Sequence, residues 1–181
     1  MRIALNFLLF QFGWFASVLG SANDLPWIGP AAVAIVVIVH LAMAYDAFNE
    51  AALLVSCALI GAVADSLLVV SGWVSYSSGL FAEGLAPYWI IAMWMSFATT
   101  LNVSLRWLRS MPRVAVLLGL VAGPMTYYGG AALGGIQLLR PTPALVALGL
   151  GWAVLLPLLM KLATYFDGID DTARRATEAT S

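Results

Sequence analysis

Asp65 is the side chain with the most chemistry to offer its surroundings. It lies in EAALLVSCALIGAVADSLLVVSG, residues 50–72, a mainly apolar stretch long enough to cross a bilayer. A carboxyl group near the centre of such a helix costs about 2.5–3.5 kcal/mol on insertion scales, so it turns toward a partner, a cavity or a bound ion rather than lipid. Three roles fit a residue of this kind: acid/base catalyst, proton- or cation-coupling group, or hydrogen-bonded anchor between helices. His40, the one histidine, lies in VAIVVIVHLAMAY. Its ring can exchange protons near neutral pH, or stay neutral and donate to a backbone carbonyl. Asp65 and His40 are the catalytic candidates.

Uncharged polar and aromatic side chains share the apolar runs with them. At 1.5 Å per residue, Gln11, His40, Asp65 and Ser96 fall within about two helical turns of one depth. They are expected to converge on one polar cavity. The ligand-binding candidates are Asn6, Gln11, Trp94, Ser96, Thr100 and Tyr127. Asn6 and Gln11 serve equally well as interhelical glue, and Tyr127 or Gln11 is a natural partner for Asp65. Asp46 and Glu50 flank a short loop and are expected to be solvated. His40, Asp65 and Glu50 would form a hard-ligand set, but neither H-E-x-x-H nor a paired-histidine spacing exists, so no metal site is expected. No G-x-S-x-G elbow is present, and Cys57 has no basic neighbour in sequence to make it a nucleophile. A single cysteine excludes an intrachain disulfide. No cofactor is implied.

The elements that must position these residues follow from composition. The chain has 181 residues, 62% hydrophobic and 9% charged. A soluble domain carries about 25% charged residues, so this chain needs lipid around it. Nothing in its charge points to nucleic acid. Six apolar runs, at 3–20, 30–45, 51–72, 87–107, 113–133 and 143–166, predict an all-α bundle of six transmembrane helices. Pro30, Pro87 and Pro143 each open a run, where a missing N–H costs nothing. Residues 1–166 form the predicted six-span domain, and 167–181 a polar cytoplasmic tail. Seven of the eight cations, Arg2, Arg106, Arg109, Arg113, Lys161, Arg174 and Arg175, fall on one side of this arrangement, and Arg140 on the other. That bias puts both termini in the cytoplasm. The outer loop 73–86 is the longest connection and suits a short interfacial helix. Gly119, Gly123, Tyr127, Gly130 and Gly134 recur at three- and four-residue spacing, including two GxxxG pairs that favour close helix packing. Of the seven tryptophans, Trp14, Trp94 and Trp152 lie deep.

The opening NFLLFQFGW, the run Asp65-Ser66-Leu67-Leu68, WMSFATTL from Trp94, and Gly123-Pro124 ahead of Tyr127 carry a family resemblance. Together they resemble the bacterial membrane family catalogued as domain of unknown function 2878, over nearly the whole chain. Asn6, Gln11, Trp14, Asp65, Trp94, Phe97, Thr100 and Pro124 match its pattern. The resemblance implies a bacterial inner-membrane protein without an established activity. Members are often encoded beside enzymes that modify membrane fatty acids, which implies lipid handling. The expectation is a lipid-handling enzyme or an accessory subunit to one. A small proton- or cation-coupled carrier and a non-catalytic scaffold are the alternatives. Expected partners are membrane lipids, with a membrane enzyme or a second copy of the chain beside them.

The cation bias generates a first test. Reporter fusions at Gly79 and Ser181 should report from outside and inside respectively; both reporting from one side would exclude three spans between them.

Overall fold

The computed structural model describes residues 2–169. Within them the order is α1 (Arg2–Ala22), α2 (Ile28–Ala42), α3 (Ala47–Val70), β1 (Val74–Tyr76), α4 (Tyr88–Leu101), a 3-10 turn (Arg106–Ser110), α5 (Pro112–Ala132), β2 (Ile136–Leu138) and α6 (Pro141–Tyr165). The described residues are mostly helical, as expected, with one short addition. β1 and β2 form an antiparallel ribbon, with Val74 opposite Leu138, Ser75 opposite Gln137 and Tyr76 opposite Ile136. The loop expected to hold an interfacial helix supplies β1 instead, because Val-Ser-Tyr alternates as a strand does and finds Ile-Gln-Leu to pair with.

Four helices, α1, α3, α5 and α6, are long and apolar enough to cross a membrane. α2 and α4 are apolar but have 15 and 14 residues, or about 21–22 Å of rise against a core of about 30 Å. Both stop short of the expected ends. α2 finishes at Ala42, and α4 gives way after Leu101 to turns in which the Val103 and Leu105 N–H groups donate to the Thr100 carbonyl. The outward surface of the bundle is apolar, with Phe7, Ile38, Leu59, Leu117 and Leu150 all exposed.

Local signals fix several helix starts. Asp46 caps α3 by accepting from the Phe48 and Asn49 N–H groups at 3.1 and 3.0 Å. Pro112 and Pro141 occupy the first turns of α5 and α6. α1 packs on α2 and α4, α3 on α4, and α5 on α6. The last contact is the most intimate. A Cβ on Gly119 would collide with the Trp152 carbonyl, and one on Gly123 with the Trp152 indole. Pro124 deprives the Leu120 carbonyl of its usual donor, and Gly149 of α6 lets the backbones close at that level. The glycine stripe of α5 thus serves α6 at Gly119 and Gly123. Nearer its end, Gly130 receives Ile136 of the ribbon.

Trp152 therefore fixes how closely α5 and α6 approach. Gly123→Leu forces four carbons into that contact and should cost about 1–3 kcal/mol, read as a lowered Tm of the detergent-solubilised protein. An unchanged Tm would place the stripe at the lipid face.

Candidate functional site

Asp65 is fully buried and takes three hydrogen bonds from three different elements. The hydroxyls of Tyr76 in β1 and Tyr127 in α5 donate to Oδ1 at 2.6 and 2.5 Å. The Trp94 indole N–H, from α4, donates to Oδ2 at 2.7 Å. An ionised carboxylate has about four lone-pair sites and no proton of its own, so three donors suit it. Burial, and then the adjacent Asp65 charge, push the Tyr76 phenol well above its usual range, which keeps Tyr76 a donor.

Trp94 is held on both faces. One face lies on Gly61, one turn before Asp65 on α3, where any Cβ would enter the ring. The other stacks on Trp152, with centroids 4.9 Å apart and 8° between planes. Phe97 closes edge-on against both indoles, 5.2 Å from Trp152 and 6.2 Å from Trp94.

This aromatic group floors a half-open groove of about 200 Å³ between α1 and α5. α1 contributes Phe10 and Trp14, α4 Met93, Trp94 and Phe97, α5 Leu118 to Tyr127 on one side, and α6 Trp152 and Leu156. Almost every wall residue lies near the middle of its helix, and none carries a charge. Thr126 is the polar exception besides Tyr127, and its hydroxyl already donates to the Ala122 carbonyl at 2.9 Å.

The expected single constellation resolves into two. His40 does not reach Asp65. Its Nε2 bonds Glu50 Oε2 at 2.7 Å, and a carboxylate there makes the histidine the donor. Glu50, expected in solvent, is fully buried. Its Oε1 accepts from Asn102 Nδ2 at 2.6 Å and the Gly168 N–H at 2.8 Å. Arg109 continues the network, donating to Asn102 Oδ1, to the Ala163 carbonyl at 3.0 Å and to Asp167 at 2.7 Å, while Arg106 meets Asp167 at 2.9 Å. Fifteen residues of α3 separate Glu50 from Asp65, about 22 Å of rise. The depth estimate failed because α3 starts at Ala47 and places Asp65 in its final third, whereas His40 falls in the last turn of α2. The expected tail opens with Asp167–Ile169 docked into this cluster; residues 170–181, with Arg174 and Arg175, lie outside the described residues.

Of the six ligand-binding candidates, Trp94 and Tyr127 line the groove. Asn6 Nδ2 donates to the Thr99 carbonyl at 3.0 Å and ties α1 to α4. Ser96 is buried where α4 meets Gly13 of α1, and the Thr100 hydroxyl returns to the Phe97 carbonyl. Gln11 is half-buried and bonds neither Asp65 nor His40. Tyr76 was missed because it lies off the helices. Glu50 was missed although it shares one helical stripe with Leu54, Cys57, Gly61 and Asp65.

One family matches the chain over residues 3–158, that described as protein of unknown function, DUF2878. The chain belongs to that family. Neither curated proteins nor solved structures yield a match. In this member the matched region covers the groove and the Asp65 cluster; of the second cluster it covers His40, Glu50, Asn102, Arg106 and Arg109, while Ala163, Asp167 and Gly168 lie beyond it.

Asp65→Leu should destabilise the protein far more than Asp65→Asn, because it leaves three buried donors unpaired at about 1–3 kcal/mol each. Asn can turn its oxygen to the Trp94 N–H and its amide to the tyrosines, whose hydroxyls also accept. Equal Tm losses for the two variants would mean that the three donors do not depend on Asp65.

Proposed function

We propose that this family member handles lipid, holding an apolar chain in the groove between α1 and α5. In this reading all six helices cross the inner membrane of a bacterium with both termini in the cytoplasm. Arg2, Arg106, Arg109, Arg113 and Lys161 gather at one end of the bundle and support that orientation.

The observation that carries the reading is the character of the groove. Its walls are aromatic and aliphatic, uncharged, and set at mid-helix depth, where the bilayer offers acyl chains rather than headgroups. Stacked and edge-on rings present a stiff surface that loses little side-chain freedom when a chain lies on it. Asp65 is enclosed behind this wall. Its part is to position Trp94 and Tyr127, whose rings meet the ligand while their polar atoms face the carboxylate. His40 belongs to the separate cluster with Glu50 and has no contact with the bound chain.

The groove can be filled without touching the polar core. Ala122 lines it and is half-buried, so Ala122→Phe should occupy the space and leave the fold intact. Mass spectrometry of material extracted from purified protein should find apolar-chain molecules on the wild type and several-fold less on Ala122→Phe at equal Tm. Equal retention by both proteins would overturn the reading.

A further inference from the structure

A second pocket of about 360 Å³ opens at the end of the bundle where α5 begins and α6 finishes. Leu108, Ala115, Pro157 and Met160 give it an apolar floor, and Arg109 and Lys161 stand in its walls. The described stretches that build this end, 102–115 and 157–169, hold four cations, Arg106, Arg109, Arg113 and Lys161, against one acid, Asp167. That acid is already engaged by Arg106 and Arg109. Glu50, facing this end from α3, is capped by His40, Asn102 and the Gly168 N–H.

The charge of the wall points to an anion. Arg109 is held in that wall by its terminal nitrogens, which donate to Asp167, Asn102 and Ala163. Lys161 is exposed at the pocket edge with no ion-pair partner among the described residues. The floor supplies the second half of the argument. A small anion would leave it bare, whereas Leu158, itself lining the pocket, and Val154 one turn back along α6 are exposed and extend the apolar surface away from the charges. Charge at the mouth and hydrocarbon beyond match a lipid that carries a phosphate.

We propose that this pocket binds an anionic phospholipid, with its phosphate between Arg109 and Lys161 and its chains along α6. Cationic pockets between membrane helices hold anionic headgroups by this combination of charge and apolar continuity. The site shares no lining residue with the groove, whose nearest walls are Leu105, Leu118 and Leu156. It does not depend on what the groove holds.

Native mass spectrometry of the full-length protein in detergent tests the assignment, with phosphatidylglycerol and phosphatidylcholine of identical chains as probes. The wild type should prefer phosphatidylglycerol, and Lys161→Glu, at an exposed position, should cut that preference by about fivefold or more, the effect of about one cation beside an anionic headgroup. Lys161→Arg and Arg140→Glu, the latter at the opposite end of the bundle, should keep it. Equal binding of the two lipids by the wild type overturns the site. So does an undiminished preference in Lys161→Glu, or an equal loss in Arg140→Glu. Displacement of phosphatidylglycerol by millimolar inorganic phosphate would make the free anion the ligand and overturn the lipid assignment.

Discussion

Asp65 presents two oxygens to a region enclosed by protein, and its desolvation is offset by donors drawn from β1, α4 and α5. Each donor has consequences beyond its own bond. The Tyr76 bond holds the β1–β2 ribbon against the helices, and the ribbon joins the α3–α4 connection to the α5–α6 connection. The Tyr127 bond brings α5 to α3, two helices with little direct packing between them. The Trp94 bond sets the plane of the indole from which the groove is built. One carboxylate therefore couples the two helical hairpins, their surface strands and the wall of a cavity.

Backbone proximity does the complementary work. Gly61, Trp94, Trp152 and Gly123 form a sequence of contacts through α3, α4, α6 and α5, with a glycine at each end and two flat rings between. Absence of a side chain at either end allows rings of this size into the interior of a bundle. In lipid, where hydrophobic exclusion does not draw helices together, such close packing and the polar contacts beside it are the cohesive terms. The His40–Glu50–Asn102–Arg109 cluster supplies the same cohesion at the opposite end and joins α2, α3, α4 and the segment after α6.

The apolar runs, the proline starts, the importance of Asp65 and the glycine stripe of α5 were legible because each depends on local composition or helical period. Tyr127 was legible as a partner of Asp65 for the same reason. Tyr76 was not, since its position depends on a three-residue strand pairing with another 62 residues away. Glu50 misled because a charged residue beside a loop reads as solvated. Treating Asp46 as an N-cap would have started α3 at Ala47 and put Glu50 on the buried stripe. Trp152 was recognised as deep, yet no periodicity within one helix shows which ring of another it will stack on. Tertiary pairings of this kind are where single-helix reasoning ends.

The Trp94–Trp152 stack also has an optical consequence. Two nearly parallel indoles whose centroids are 4.9 Å apart couple their transition dipoles, so they absorb and rotate near-ultraviolet light as a pair rather than as two separate chromophores. The sign and size of that coupling depend on the angle between the rings. One ring is tethered to a carboxylate and the other is wedged against a glycine, so the angle is set by the protein itself. Anything that lodges against the pair works against that setting, and the chain carries an intrinsic gauge of what occupies it.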